Sequence, residues 1–153
     1  MTLIVEPGDP TAVGPAALLR ASHALMNSLF PPEDNHYLSL EALESPDIAF
    51  FIARQGAETL GTGALKNHVT HGEVKSMFVA ETARGRGIAD ALLRQIEDHA
   101  RALSLPVLKL ESGNTLTAAH RLYGRHGFTP CGPFGEYLTN KTSVFMEKPL
   151  DPL

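Results

Sequence analysis

The segment ARGRGIADALL, residues 83–93, places a glycine-rich turn directly before an apolar helical pattern. The preceding residues 73–79, EVKSMFV, read as a strand, and apolar residues repeat at helical spacing over residues 88–103. The first N–H groups of a helix lack intrahelical partners and carry partial positive charge. Because Gly85 and Gly87 let an anion approach the backbone closely, the turn predicts a phosphate-binding site.

The arginines of this turn favour a ligand with two phosphates. Arg84 and Arg86 could each add a charge-assisted hydrogen bond to such an anion. A Walker P-loop ends in Gly-Lys-Ser/Thr, where this chain has Gly87-Ile88-Ala89, and a dinucleotide fingerprint needs a third glycine near Asp90. The pattern therefore argues against an ATPase and against a nicotinamide enzyme. A solvated helix start without a ligand stays open as the alternative.

Length and composition limit the classes of protein to consider. The 153 residues, 43% of them hydrophobic, suffice for one buried core, so one domain over residues 1–153 is expected. The net charge of −4 argues against general nucleic-acid binding. The single cysteine, Cys131, excludes an internal disulfide and fits a reducing compartment. Without a signal-like start or an apolar run near the roughly 20 residues of a bilayer span, the chain is predicted to be cytoplasmic and not membrane-bound.

Turn signals and periodicity divide the chain into alternating strands and helices. A turn at Gly56 predicts a hairpin between two strands, and Ser39 is placed to cap a short helix through Leu43. Strand–helix–strand units late in the chain indicate a mixed α/β fold. The predicted strands cover residues 3–5, 48–53, 60–66, 73–79, 107–111, 128 onward and 143–148, and the predicted helices run from 15 to before 31, from 88 to near 106, and from 117 to 126.

Two blocks of sequence together resemble one known family. Arg84-Gly85-Arg86-Gly87-Ile88-Ala89 matches the acyl-CoA signature Arg/Gln-x-x-Gly-x-Gly/Ala, and AAHRLYGRHGF, residues 118–128, is similar to the block Ala-x-x-Leu-Tyr-x-x-x-Gly-Phe. Both belong to the GNAT acetyltransferase superfamily, and the chain looks like one of its small bacterial members. The resemblance covers roughly residues 48–130. It implies a mixed, mostly antiparallel central sheet flanked by helices.

The resemblance also implies acetyl-CoA as cosubstrate and no metal. The amides from Arg84 to Ala89 are then expected to hold the pyrophosphate, and the backbone of Met77, Phe78 and Val79 to run beside the pantetheine arm. A splay of the strands after Val79 would admit the thioester. Asn114 resembles a family asparagine that contacts pantetheine, but it stands nine positions before Tyr123 (123 − 114) where seven is commoner. An ordinary turn asparagine is the alternative.

Two residues are candidates for the chemistry of acetyl transfer. Tyr123 stands where the family commonly places its general acid, and its alternative role is core packing. Glu73 precedes Arg84 by eleven positions (84 − 73), a spacing at which several family members carry a catalytic glutamate. Strand alternation is expected to place Glu73, Lys75 and Met77 on one face, so Lys75 could instead neutralise Glu73 in an ion pair. If Lys75 is free, it could bind a substrate carboxylate.

The acceptor is expected to be a small primary amine, such as an amino acid, polyamine or amino-sugar-like metabolite. By resemblance, the loop after the first helix contributes to recognition, with Glu33 and His36 as candidate contacts and solvated loop side chains as the alternative. His68 and His71 lack a spacing that favours zinc over exposure. A protein amine is the first alternative acceptor, and a non-catalytic acyl-CoA-binding module is the rival of a different class. Family analogy makes a homodimer reasonable.

Overall fold

A computed structural model describes residues 2–151 as a seven-stranded sheet with helices on both faces. Within that range no helix combines the length and the apolar character that crossing a membrane requires. The strands are β1 (Leu3–Pro7), β2 (Ile48–Gln55), β3 (Glu58–Asn67), β4 (Gly72–Val79), β5 (Val107–Gly113), β6 (Thr129–Cys131) and β7 (Ser143–Pro149), and the helices are α1 (Val13–Leu29), α2 (Ile88–Ala102) and α3 (Thr117–Arg125).

The sheet is mixed and mostly antiparallel, which confirms the predicted fold class. Its strand order is β1-β2-β3-β4-β5-β7-β6, and only the β4–β5 pair is parallel. That pair is joined at two positions, Gly72 with Leu108 and Glu73 with Lys109. Beyond Glu73 the two strands diverge. The splay therefore begins after Glu73, and its predicted position after Val79 was wrong.

A bulge in β4 explains where the strand bends. The register against β3 shifts between Thr62 and Ala64, and Ser76 takes a left-handed conformation with φ of 56°. The buried Thr62 hydroxyl donates to the Ser76 carbonyl at 2.8 Å and holds the bulge. As a consequence Met77 turns to the α2 face, where its sulfur lies beside Gly63. The expectation that Met77 shares a face with Glu73 and Lys75 was wrong.

Two apolar clusters fix the helices to the sheet. The larger cluster lies under α2 and α3. On α2 its members include Leu92, Leu93 and Ile96, which are fully buried. The smaller lies under α1 and centres on Leu19 and Phe50. Burial of these apolar side chains is the main stabilising contribution and sets the position of α2 against β3 and β4.

The short helix predicted to follow Ser39 is a single 3-10 turn, Ala42–Glu44. Its Ala42 N–H donates to the Ser39 hydroxyl oxygen at 3.1 Å, but the N-cap residue of the turn is Glu41, whose side chain makes no capping bond. The turn buries Leu43 in the cluster under α1. This contact positions the loop that follows α1, which borders the candidate site described below.

Gly113, at the end of β5, offers a test of this packing. A methyl group at that position would overlap the ring of the buried Phe30. We expect Gly113→Ala to lower the free energy of unfolding by about 1–3 kcal/mol, as overpacking usually does. Gly124→Ala is the matched control, because Gly124 lies in α3 and an added methyl group there would meet no neighbouring side chain within 4 Å. This variant should be more stable than wild type by about 0.5–1 kcal/mol, since alanine favours the helix over glycine. Urea denaturation measures both, and a Gly113→Ala protein as stable as wild type would contradict the packing described.

Candidate active site

The splay between β4 and β5 opens into a cleft of about 670 Å³. Residues of α1, β4, the glycine-rich turn, β5 and α3 border it, so it lies at the point where the sheet and its helices separate. The sequence-predicted residues that line this cleft are His36, Lys75, Met77, Phe78, Val79, Arg84, Gly85, Gly87, Ile88, Ala89 and Tyr123.

The glycine-rich turn presents open backbone to this cleft. Gly85 and Gly87 have positive φ values of 79° and 75°, a conformation that favours glycine. A methyl group added at either position would meet no protein atom within 4 Å, so the space beside the turn is open. Gly87 is the N-cap of α2, and no side chain caps that end. The first amides of α2 are therefore free to bind an anion.

The two arginines of the turn are exposed and make only long hydrogen bonds within the protein. Arg84 donates to the Val79 carbonyl at 3.4 Å and lies 5.7 Å from the centre of the Phe78 ring. Arg86 reaches the side chain of Gln55 at 3.5 Å. Each guanidinium has five N–H donors, so these long contacts leave donors for an anion. The turn thus has the charge and the geometry to hold a diphosphate.

Tyr123 lies in α3 with its ring in the larger core cluster and its surface on the cleft. It is 6% exposed, and its ring packs edge-on to Phe128 at 5.7 Å. Burial raises the pKa of the Tyr123 phenol above its usual range. The group therefore keeps its proton at neutral pH. Packing of the ring in the core is compatible with a proton-donating role of the hydroxyl.

Glu73 lies in a buried cluster of charged and aromatic side chains. One carboxylate oxygen accepts a hydrogen bond from Tyr137 and lies 3.3 Å from the Lys75 ammonium, while the other lies 2.9 Å from His68 Nε2. Lys75 also donates to the Tyr137 hydroxyl and to the His36 carbonyl, each at 2.9 Å. The cluster thus satisfies both oxygens of the carboxylate and the ammonium with partners inside the protein.

The pKa of Glu73 follows from this environment. Burial by itself raises the pKa of the carboxyl, but the charge of Lys75 and the hydrogen bonds from Tyr137 and His68 outweigh burial and lower it below its usual value. Glu73 is therefore an ionised, fully bonded carboxylate at neutral pH. Of the two roles open from the sequence, the arrangement favours the ion pair with Lys75. Lys75 is likewise not free for a substrate carboxylate.

Tyr137 is not among the site residues predicted from the sequence. Burial, followed by the negative charge of Glu73 and the hydrogen bond to it, raises the pKa of the Tyr137 phenol. Tyr137 follows β6 and stands 64 positions from Glu73 along the chain, so no local motif links the two. Nothing in the spacing of the segment CGPFGEY, residues 131–137, indicates this contact.

A second cleft, of about 790 Å³, adjoins the first. The two share Asp34, His36, Tyr37 and Lys75 as lining residues. The second cleft alone reaches Glu33 and Glu73, so the structure gathers the predicted acceptor contacts and Glu73 around one space. The aromatic side chains of its wall are His36, Tyr37, His68, Phe134 and Tyr137.

Asn114 lies outside the lining of both clefts as far as the described residues define them. Its side-chain amide donates to the Lys141 carbonyl at 3.0 Å, and its backbone N–H donates to the Thr142 carbonyl at 2.8 Å. These bonds join the turn after β5 to the segment before β7, as an ordinary turn asparagine does. Leu116, at the commoner family spacing from Tyr123, lines the first cleft instead.

The histidines near Glu73 form a stacked pair. The rings of His68 and His71 are 4.5 Å apart and nearly parallel, and His71 packs edge-on to Phe134. Burial, with the neighbouring His68 and Lys109 adding to it, lowers the pKa of His71. Within residues 2–151 no group of three or more His, Cys, Asp and Glu side chains is arranged to hold a metal ion.

Comparison with known proteins identifies the family. The profile of the Acetyltransferase (GNAT) family matches residues 18–128. The IAA acetyltransferase of Azospirillum brasilense is 46% identical over 127 residues, which cover 82% of this chain and 83% of that protein. The uncharacterized N-acetyltransferase YedL of Escherichia coli is 39% identical over 145 residues, which cover 93% and 91%.

A solved structure agrees with the fold. The crystal structure of a Klebsiella pneumoniae protein proposed to be an acyl-CoA N-acyltransferase superposes with a TM-score of 0.81 at 29% identity, and the match covers 97% of this chain and 98% of that one. The chain belongs to the acetyltransferase (GNAT) family. It is an enzyme of the acetyltransferase class, as the two sequence blocks predicted.

Proposed function

We propose that the protein transfers the acetyl group of acetyl-CoA to the primary amine of a small metabolite by direct attack. The observation that carries this proposal is the first cleft, which joins an uncapped glycine turn, a diverging strand edge and a buried tyrosine in one continuous space. Membership of the acetyltransferase family supplies the reaction class. The residues present fit acetyl-CoA, because the turn has open amides and two exposed arginines for its diphosphate.

The edge of β4 provides the remaining contacts for the cosubstrate. Since β4 pairs with β5 only at Gly72 and Glu73, the backbone from Val74 onward has no strand partner on that side. Unpaired N–H and C=O groups on a strand edge bind extended ligands as an added strand would. Met77, Phe78 and Val79 line the cleft along this edge and lead to the turn at Arg84. A pantetheine arm bound there would carry its thioester toward Tyr123.

Tyr123 then supplies the proton that the reaction needs. When bound, acetyl-CoA supplies an acetyl thioester for attack by a neutral amine. Burial raises the pKa of the Tyr123 phenol, so the hydroxyl keeps its proton and would donate it to the departing sulfur; the presence of Tyr123 in the cleft lining supports this role. Lys75 lines both clefts and forms an ion pair with Glu73, which lines only the second, and this pairing favours a positioning role for the two residues.

The second cleft is the proposed place of the acceptor. It adjoins the first through His36 and Lys75 and has aromatic side chains and Glu33 on its wall. A space of about 790 Å³ is in the range of small-molecule sites. The 46% identical relative is named for IAA, so IAA belongs among the acceptors to be tried together with amines.

A thiol-release assay tests the proposed function. The purified protein and acetyl-CoA are mixed with L-lysine, spermidine, glucosamine, IAA and a peptide with a free N-terminus, and mass spectrometry identifies any acetylated product. We expect one small amine to raise thiol release well above the amine-free rate. Acetylation of the peptide alone would support the protein-acceptor alternative. Binding of acetyl-CoA without release by any acceptor would support the sensor alternative and overturn the proposal.

The arginines of the turn give a second test. We expect Arg84→Ala/Arg86→Ala to weaken acetyl-CoA binding roughly 10–100-fold, because each change removes a charge-assisted contact of about 1.5 kcal/mol before screening by solvent. The control is Arg20→Ala/Arg94→Ala, which removes the same charge from exposed positions on α1 and α2 outside both clefts. Isothermal titration calorimetry measures the three affinities. Equal weakening by both double variants would show an effect of net charge alone.

A further inference from the structure

The second cleft, proposed above as the place of the acceptor, has more carboxylates than ammonium groups on its wall. The lysine, aspartate and glutamate side chains of its lining are Glu33, Asp34, Lys66, Glu73, Lys75 and Glu136. Glu73 and Lys75 neutralise each other as a buried ion pair. Once this pair is set aside, three carboxylates and one lysine remain, so the charge of the wall favours a cationic ligand.

Lys75 has no donor left for an acceptor carboxylate. An ammonium group has three N–H donors. Lys75 donates to the His36 carbonyl and to the Tyr137 hydroxyl, each at 2.9 Å. The Glu73 carboxylate lies 3.3 Å from the same nitrogen and takes the third side of the ammonium group. Among the lysines of the lining, only Lys66 then remains for a negatively charged acceptor group, and the carboxylates of the wall outnumber it.

Glu33 and Glu136 are the carboxylates most open to a ligand. Both residues are exposed, and among residues 2–151 neither side chain has a hydrogen-bond or ion-pair partner. They come from different segments, Glu33 from the loop after α1 and Glu136 from the connection between β6 and β7. Asp34 lines both clefts, and only its Oδ2 is engaged, by the Thr142 hydroxyl at 2.9 Å. Negative charge therefore borders the second cleft from two segments and continues to its junction with the first.

Tyr37 adds an aromatic surface at that junction. It lines both clefts and is 41% exposed. The His23 ring stacks on it at 4.0 Å with an interplanar angle of 12°, so one face of the Tyr37 ring is covered and the other faces outward. The Tyr37 hydroxyl donates to Asn27 at 3.2 Å, which fixes the ring. An open aromatic face attracts cations, and this one lies on the path between the two clefts.

We infer that the acceptor is a diamine, whose second ammonium is bound by Glu33 and Glu136 while its first amine reaches the thioester through the junction. This inference rests on the proposed function and narrows it to acceptors with two cationic groups and no carboxylate. The reacting nitrogen forms the C–N bond as the C–S bond breaks, and the products are the monoacetylated diamine, CoA and one proton. Of the acceptor types expected from the sequence, a polyamine has this charge, whereas an amino acid also brings a carboxylate.

Three matched acceptors test this inference. Cadaverine differs from pentylamine by one ammonium group and from L-lysine by one carboxylate. We expect kcat/KM for cadaverine, counted per reactive amine, to exceed that of each of the other two at least about tenfold, the effect of one charge-assisted contact that solvent partly screens. Mass spectrometry should show the monoacetylated product accumulating, because acetylation removes the second charge. Pentylamine or L-lysine reacting as well as cadaverine would overturn the inference.

Glutamine variants assign the preference to the carboxylates. Glu33→Gln/Glu136→Gln should lower the ratio of kcat/KM for cadaverine to that for pentylamine to less than about threefold, since two charge contacts are lost. The control is Glu44→Gln/Glu58→Gln, which makes the same change of net charge at exposed positions that line neither cleft. A ratio taken within one protein cancels any general loss of activity. An undiminished ratio in the first variant, or an equal fall in both, would overturn the assignment.

Calorimetry separates this inference from the proposed function. Cadaverine and pentylamine are titrated into wild-type protein saturated with CoA, and we expect cadaverine to bind about tenfold more tightly. Preferential binding of cadaverine without thiol release from acetyl-CoA would remove the proposed function and keep the diamine site. Thiol release at equal rates with both amines, together with equal affinities, would keep the proposed function and remove the diamine site.

Discussion

Lys75→Met is expected to lower the free energy of unfolding by about 3–5 kcal/mol, the usual cost of leaving one member of a buried ion pair alone. The side chains of Lys75 and Glu73 are only 10% and 4% exposed, so water cannot replace the lost partner. The variant also leaves the His36 carbonyl and the Tyr137 hydroxyl without the lysine they contact. Chemical denaturation of wild type and variant at pH 7 measures the difference.

A double variant and a change of pH give the control. Lys75→Met/Glu73→Gln should recover much of the lost stability, because no unpaired charge then remains buried. In wild type the lowered pKa of Glu73 stabilises the fold above the ordinary glutamate pKa, and this contribution is lost as the pH falls through the folded-state value. In Lys75→Met the deficit should shrink toward acid pH, as the lone carboxyl takes up a proton. A deficit that is unchanged in the double variant would show that Lys75 acts by packing alone.

Tyr123→Phe is expected to reduce kcat about 100-fold while leaving acetyl-CoA affinity nearly unchanged. The change removes one hydroxyl and keeps the ring that packs against Phe128 in the core. The hydroxyl is expected to stabilise the departing sulfur in the transition state and to contribute little to binding of acetyl-CoA. Its removal should therefore lower kcat without a matching rise in Kd. Thiol release at saturating amine gives kcat, and calorimetry gives the affinity.

Two outcomes would contradict the role of Tyr123. If affinity and kcat fall together, the hydroxyl shapes the cleft and does not donate a proton to the reaction. If neither changes, another donor serves the sulfur. The midpoint of thermal unfolding separates these outcomes from a general loss of structure, since a core defect would lower it.

Features of the protein that depend on residues close together in the chain could be predicted from the sequence. The turn with Gly85 and Gly87 could be predicted because a strand, two glycines and an amphipathic helix are contiguous, and each constrains the next. The family followed from that turn and the block around Tyr123. Strand positions followed from alternation and turn residues, and the central sheet has the predicted mixed, mostly antiparallel form.

Features that depend on residues far apart in the chain could not be predicted from the sequence. The bulge at Ser76 breaks the alternation of β4, and nothing in EVKSMFV marks a left-handed serine in a strand. It moved Met77 to the other face, and the splay itself begins earlier than the sequence suggested. Likewise, the partners that hold Glu73 ionised include Tyr137, which only the folded sheet brings near, so spacing along the chain could not decide between base and ion pair.

The central claim is that the turn from Arg84 to Ala89 holds the diphosphate of acetyl-CoA, and one calorimetric comparison tests it directly. Wild-type protein and Arg84→Ala/Arg86→Ala are each titrated with acetyl-CoA and, separately, with S-acetyl-pantetheine, which has the same thioester arm and lacks the diphosphate together with the adenosine 3′-phosphate. We predict that wild type binds acetyl-CoA at least about 100-fold more tightly than S-acetyl-pantetheine, and that the arginine variant loses roughly 10–100-fold of this preference, because two charge-assisted contacts of about 1.5 kcal/mol each before screening are gone. Equal affinities for the two ligands, or no binding of acetyl-CoA to the folded protein, would contradict the account.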